Sequence, residues 1–228
     1  EVYLGLDSLR WGERSPEAME VLEAMGAALD RGVALAFVLP DHPNCGRRFS
    51  DGGIAWLRLR SPRAAAERLL SVFTLGACER HGSGQIAYRP VYVHAKVAII
   101  DDVWWTAGSA NLNSRGLHSD AEINVSVLDA ATAHDLRIRL WQEHVHPTSA
   151  TRATLEDPRA GLAAMCASAQ ANLEHVRQGE PLVGHMLPYV AADEAEQLGL
   201  PFSSEHGWLD NLEGGIRALP AHYAHRYL

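Results

Sequence analysis

Between Tyr92 and Ala107 the chain reads as two strands that double back on each other, and this stretch constrains the fold more than any other. Tyr92-Val93-His94-Ala95-Lys96-Val97-Ala98-Ile99-Ile100 alternates in the manner of a β-strand, Asp101-Asp102 has the character of a tight turn, and Val103-Trp104-Trp105-Thr106-Ala107 reads as the returning strand. Strand residues of equal parity share a face, so His94 and Lys96 project the same way. Lys96 is the only lysine in the chain; the other 19 basic residues are arginines. A chain that avoids lysine elsewhere needs a compact ammonium at position 96. An imidazole next to that cation, on a rigid strand, suits gripping and attacking a phosphate. Gly108-Ser109-Ala110-Asn111 follows, small and polar residues that bring backbone and amide donors near an anion.

The complete pattern is His94-x-Lys96, four residues, Asp101, six residues, Gly108-Ser109-x-Asn111. It resembles the HKD signature of the phospholipase D superfamily, with no departure at the named positions. The resemblance extends over roughly residues 2–145. Ser119-Asp120-Ala121-Glu122-Ile123-Asn124-Val125 is similar to the stretch in which that family carries an acidic residue that orients the catalytic histidine, and Glu122 is the matching position. Asn113-Ser114-Arg115 sits where relatives carry Asn-x-Arg-Ser, but Gly116 replaces the serine, which leaves a role for Arg115 open between site and structure.

The resemblance implies a phosphodiesterase in which one histidine attacks phosphorus and a second protonates the leaving alcohol. Water or another alcohol then resolves a phosphohistidine. It implies that Lys96 and Asn111 bind the phosphate with Ser109 nearby, that Glu122 orients His94, and that Asp101 and Gly108 are structural. In two-motif relatives the C-terminal histidine serves as the general acid, so His94 is assigned that role ahead of the nucleophile. Fixed cations and donors hold the developing charge, so no metal and no cofactor are expected. A family site uses two HKD motifs, and with one lysine this chain has one. The second half is expected from a longer polypeptide or from a second chain. The missing initiator Met and the immediate apolar run Val2–Leu6 favour a longer polypeptide, with this segment as its second-motif half.

Composition sets the remaining bounds. The 228 residues are 47% hydrophobic and 21% charged, a globular balance, and no apolar run approaches the length of a membrane span. The formal net charge of −8 argues against a nucleic-acid partner, whose phosphate backbone demands clustered cations. Arg47, Arg48, Arg58, Arg60, Arg63 and Arg68 are read as solvated surface residues. Cys45, Cys78 and Cys166 form no disulfide framework and no zinc pattern, and His144-x-His146 is read as a helix-end pair with no ligating role. Compartment is not legible; a peripheral contact with a membrane is compatible with a phospholipid substrate.

The expected fold is α/β: a phospholipase D-like mixed sheet flanked by helices, half of a pseudo-two-fold sandwich, with a helical, loop-rich C-terminal extension. The boundaries are 1–147 for the catalytic half and 148–228 for the extension. Along the chain we read a strand at 2–6, a helix opened by Ser15-Pro16 and stopped at Gly32, and a strand at 34–39 that is apolar on both faces. A loop over 41–53, marked by His42-Pro43-Asn44, Gly46 and Gly52-Gly53, a short strand near Ile54–Leu59 and a helix from Ser61-Pro62 to about Glu79 follow. Then come the hairpin, a strand at 122–128, a helix from Asp129 to about Val145, and a helix near Pro158–Arg177. Tyr189, Phe202 and Trp208 are read as anchors of the extension. Phospholipid hydrolysis or phosphatidyl transfer is the leading function; a dimeric single-motif endonuclease and a non-catalytic scaffold are the alternatives.

Overall fold

The computed structural model describes residues 16–41, 47–82, 84–113 and 115–197. The strand expected at 2–6, the Ser15 cap, and the anchors Phe202 and Trp208 lie outside them. The described chain is mixed α/β. It runs α1 (Pro16–Asp30), β1 (Leu35–Val38), α2 (Arg47–Arg60), α3 (Pro62–Ala66), β2 (Leu70–Arg80), β3 (Ile86–Val91), β4 (Lys96–Ile100), β5 (Trp104–Gly108), a π-helical turn (Arg115–Ser119), β6 (Asn124–Leu128), α4 (Ala130–His144), α5 (Arg152–Glu156), α6 (Pro158–Gln178), β7 (Met186–Pro188) and α7 (Ala192–Gln197).

Two sheets organise it. In the first, β2 is the trunk: Leu70–Phe73 pair in parallel with β1, Leu75–Arg80 pair antiparallel with β3, and Phe73–Leu75 pair antiparallel with β7. The second is a β4-β5-β6 antiparallel meander that carries the motif. The β1-α2-α3-β2 connection joins two parallel neighbours through helices, a βαβ unit that the sequence reading did not anticipate.

Two sequence readings are corrected. Residues 54–59 belong to helix α2, not to a strand. Ser50, Gly53, Ile54, Leu57 and Ser61 are buried, a helical recurrence that buries one face against α1 and overrides the glycine pair inside the helix. Residues 70–79 are the central strand, not helix. All of Leu70–Gly76 is buried, and a run that is apolar on both faces carries no period to tell strand from helix. Strand β3 escaped the reading altogether. Elsewhere the elements follow it closely. Asp129 accepts a hydrogen bond from the Thr132 backbone amide (3.0 Å) and caps α4. Hydrogen bonds from Thr132 hold the Asp129 carboxyl below the ordinary carboxylate range. Asp157 caps α6 in the same way, and Gly179, at φ 71°, ends it in the left-handed conformation that glycine tolerates.

The described part of 148–228 shares the core of what precedes it. β7 adds a strand to the trunk sheet; Leu162, Met165, Ala169 and Met186 pack with Phe73, Leu75 and Val145; Tyr189 lies in the cluster of Leu22, Leu57 and Val72. Tyr189 also donates its hydroxyl to Asp51 (2.9 Å), so it anchors the segment as anticipated. The Asn172 amide binds the carbonyls of Val183 (3.1 Å) and Met186 (2.9 Å) and accepts from the Val183 amide, which fastens α6 to the strand that follows.

One buried cation ties the motif hairpin to this scaffold. The Arg137 guanidinium on α4 grips Asp102 in the β4–β5 turn with two bonds of 2.7 Å, donates to the carbonyls of Leu155 (2.7 Å) and Glu156 (3.3 Å) at the end of α5, and lies 4.6 Å over the Trp141 ring. The Arg137 side chain is only 7% exposed. Removing one member of such a pair strands the other in a poorly hydrated site. Arg137→Ala should therefore cost about 3 kcal/mol, read as a lowered urea midpoint. Arg137→Ala with Asp102→Ala should cost less than the sum of the two single variants. A single variant within about 0.5 kcal/mol of the parent, the range of an ordinary surface change, would refute the clamp.

Candidate active site

Lys96, Gly108 and Asn124 meet at one end of the β4-β5-β6 meander, and Asp101 lies in the turn at the other. Lys96 opposes Gly108, which opposes Asn124; Ala98 opposes Thr106, which opposes Ser126. Directly opposed residues share a face, so one face of the sheet carries Lys96, Thr106, Gly108, Asn124 and Ser126. Thr106 Oγ1 accepts from Ser126 Oγ (3.1 Å) and from the Asn124 amide (3.4 Å). The opposite face holds Val97, Ile99, Trp105 and Ala107, and Trp105 Nε1 donates to Thr132 of α4 (3.0 Å). Alternation thus leaves the polar row away from α4.

The turn that closes the hairpin sits at the far end of the sheet. The Val103 amide donates to Ile100 O (3.0 Å), and Asp101 and Asp102 both adopt positive φ, 52° and 54°. Short acidic side chains tolerate this region better than most residues, which explains their place in the turn. Asp101 is a residue of the hairpin turn, and the carboxylate that meets Arg137 is that of its neighbour Asp102.

Each predicted site residue has a definite place. His94 is exposed and lies in the stretch 92–95 that leads into β4, which begins only at Lys96 and not at Tyr92 as the alternation suggested. Lys96 opens β4, and its ammonium donates to His94 O (2.8 Å), so the cation is folded back over the backbone of the histidine segment. Ser109 follows β5. Its backbone amide donates to Ile123 O (3.0 Å), and its hydroxyl accepts from the Ile123 amide (3.0 Å), so the serine is fastened to the segment that carries Glu122. Glu122 is half-buried beside that junction; no hydrogen bond joins it to His94 among the described residues. Asn111 is half-buried, and its Oδ1 is enclosed without a hydrogen-bond partner among the described residues. A buried amide oxygen in that state is a place for a donor to fill.

Two glycines have a steric reason. A Cβ on Gly108 would collide with the Ile123 carbonyl and with Asn124, and a Cβ on Gly116 would collide with the Asn111 backbone. Gly116, which departs from the resemblance, therefore lets the π-helical turn close against Asn111. The turn is held further by Asn113, whose Oδ1 accepts from the Gly116 amide (2.7 Å). Arg115 pairs with Asp120 (3.0 Å), the structural alternative among the two left open for it.

Sequence reasoning passed over three residues. Asn124 Oδ1 accepts from the Ala110 amide (3.0 Å) between Ser109 and Asn111; its equal parity with Glu122 and Ser126 was the available signal. Asp102 was treated only as a turn residue. Tyr92, of equal parity with His94 and Lys96, stacks on the His94 ring with centroids 5.8 Å apart and planes at 23°.

The profile of the family described as "Cardiolipin synthase, PLD-like domain" matches residues 14–143, more than half of the chain. The chain belongs to that phospholipase D-like family. Among curated relatives it is similar to phospholipase D B of Dictyostelium discoideum, 29% identical over 132 residues, covering 49% of this chain and 11% of that protein. It is 33% identical over 92 residues to phospholipase D zeta 2 of Arabidopsis thaliana, covering 33% and 9%. It is 28% identical over 137 residues to cardiolipin synthase A of Pseudomonas putida, covering 60% and 25%. The chain thus spans a quarter or less of the length of these relatives. Among the described residues no helix is long and apolar enough to cross a membrane.

The close approach at Gly108 gives a prediction. Gly108→Ala forces β5 and β6 apart where Ser109 and Asn124 are registered. The cost should be about 2 kcal/mol, in the range for overpacking a tight contact, read by chemical denaturation. Broadened or displaced amide resonances at Ile123 and Asn124 should accompany it. A variant as stable as the parent would show that the two strands are not locked there.

Proposed function

We propose that this chain is one half of a phospholipase D-type phosphodiesterase or phosphatidyltransferase that cleaves phospholipid phosphodiester bonds through a phosphohistidine. In this reading His94 acts at the phosphorus centre, as the general acid ahead of the nucleophile. Lys96 and Asn111 hold the phosphoryl oxygens with Ser109, and Glu122 orients His94. Asp101 and Gly108 keep the hairpin in shape. The observation that carries it is the continuous register Lys96–Gly108–Asn124, with Ser109 tied to Ile123, which brings Lys96 and Ser109 to one end of one sheet next to the His94 segment. Family membership supports the same chemistry. The names of the relatives include both phospholipases and cardiolipin synthases, so water and an alcohol are the two acceptors this reading covers.

The proposal includes a companion. The chain offers one His-x-Lys motif and one lysine, so a second HKD half completes the site, from the same longer polypeptide or from another chain. The meander leaves Ile100, Ile123, Val125 and Leu128 between 54% and 80% exposed, apolar surface of the kind a companion half covers. The segment 148–228 is proposed as an extension packed on the catalytic half.

His94→Ala in the complete enzyme should lower turnover at least about 10²-fold, the lower end for loss of an acid or base, with the circular dichroism of the parent. Lys96→Arg should remain as impaired as Lys96→Ala, because a planar fork does not reproduce a compact ammonium. Parental kinetics in the folded His94→Ala variant would sink the site assignment, and an arginine variant within a few-fold of the parent would sink the point-charge role of Lys96.

Substrate follows from charge. A protein of net charge −8 repels DNA at long range, whereas a zwitterionic head group carries much less of that penalty. The complete enzyme should release head group from phosphatidylcholine or phosphatidylethanolamine vesicles faster than it cleaves single- or double-stranded DNA at low salt, in the presence of EDTA. Efficient DNA cleavage without head-group release would instead establish the nuclease.

A further inference from the structure

Tyr92 has no part in the scheme above, yet its ring lies against the imidazole on which that scheme turns. The two centroids are 5.8 Å apart and the planes are inclined by 23°, within the range of offset aromatic stacking. Tyr92 is half-buried and His94 exposed, so the tyrosine is the better fixed of the two rings. Neither residue lies in a paired strand: β3 ends at Val91 and β4 begins at Lys96, so the ladder does not hold His94.

We propose that Tyr92 is a positioning residue for His94, a flat wall that limits rotation of the imidazole and whose π-face favours its protonated form. The inference rests on the reading of His94 as the acid–base group. The ring does the work and the hydroxyl is dispensable. An imidazolium over an aromatic face is attracted by the ring quadrupole, and a proton donor benefits from having its charged form stabilised before reaction. Among the described residues, the charged groups Lys96, whose ammonium is bonded to His94 O, and Glu122, in the segment fastened to Ser109, lie at this end of the sheet. The first opposes protonation and the second favours it, and both are retained in every variant below, so their contributions cancel in the comparison.

The test uses the 228-residue chain with labelled histidine, the His94 resonances being assigned through a His94→Gln variant. NMR titrations are compared for the parent, Tyr92→Phe, Tyr92→Leu and Tyr92→Ala. Loss of the aromatic face in Tyr92→Leu and Tyr92→Ala should lower the His94 midpoint by about 0.4–0.7 pH unit, the equivalent of one exposed cation–π contact. Tyr92→Phe should stay with the parent. Tyr92→Leu keeps an apolar side chain of similar bulk, so it carries the test if the alanine variant fails to fold. In the complete enzyme, Tyr92→Leu should lower kcat about threefold to tenfold, the range for one aromatic pair, with KM little changed and Tyr92→Phe restoring the rate. An unmoved midpoint in Tyr92→Leu, or a phenylalanine variant that behaves like leucine, would overturn the proposal. The titration is independent of turnover. If His94→Ala proves fully active while the midpoints move as described, the stack stands and the assignment of His94 fails; if His94→Ala is dead and the midpoints do not move, the reverse holds.

Discussion

The Arg137 guanidinium is the interaction on which the arrangement of this chain depends. It is buried, and a buried cation is tolerated only when its donors are used. Here two go to a carboxylate in the β4–β5 turn and others to the carbonyls that end α5, while the flat ion rests on Trp141. Trp141 in turn sits so close to Gly161 of α6 that no side chain fits there. Three parts of the chain far apart in sequence, the hairpin, α4 and the α5–α6 pair, therefore meet at one ion. A lysine could not replace it, since an ammonium cannot form the two-pronged bond and reach two further carbonyls in a plane.

From that fixed turn the meander carries order toward its other end. Pairing passes from Ile100–Trp104 down to Lys96–Gly108 and across to Asn124. The glycine at 108 lets β6 approach until Ser109 and Ile123 exchange bonds, and the glycine at 116 lets the π-helical turn close on Asn111. The candidate site thus sits at the end of the sheet away from the clamp, on residues that need close backbone approach. Order at the sheet end has a limit, because the ladder stops at Lys96 and the histidine lies just beyond it.

The hairpin, its turn, the β6 segment, α4 and α6 were legible because each carries a local signature: alternation, an Asp-Asp turn, a capping aspartate, a proline at the first helical position. Residues 54–59 and 70–79 were not, for opposite reasons. The first needed a partner surface, α1, before its buried spacing meant anything, since Gly52-Gly53 spoke locally for a loop. The second is buried on all sides, and total burial erases the period on which reading depends. At the site, the residues named by the motif were legible as a set. Their supports were not: Arg137 on Asp102, Asn124 on the Ala110 amide and Tyr92 on His94 are contacts between side chains, and the spacing of one motif says nothing about who stands next to it.

The chemistry proposed for this sheet also explains why one such sheet is insufficient. A displacement at phosphorus has its entering and leaving groups roughly in line, on opposite sides of the atom. One imidazole can attend one of those sides. If His94 gives a proton to the departing oxygen, the attacking nitrogen must come from the other side, and no second His-x-Lys exists in these 228 residues to supply it. The need is for a second group of the same kind in an opposed position, and two related halves about a two-fold axis meet it directly. The lone lysine gains sense from the same geometry. In the proposed scheme a second ammonium, from the companion half, would stand across the phosphoryl oxygens from Lys96. Arginines elsewhere serve in ion pairs such as Arg60 with Asp30 (2.7 Å) and Arg137 with Asp102, where a forked cation binds a carboxylate better than an ammonium does.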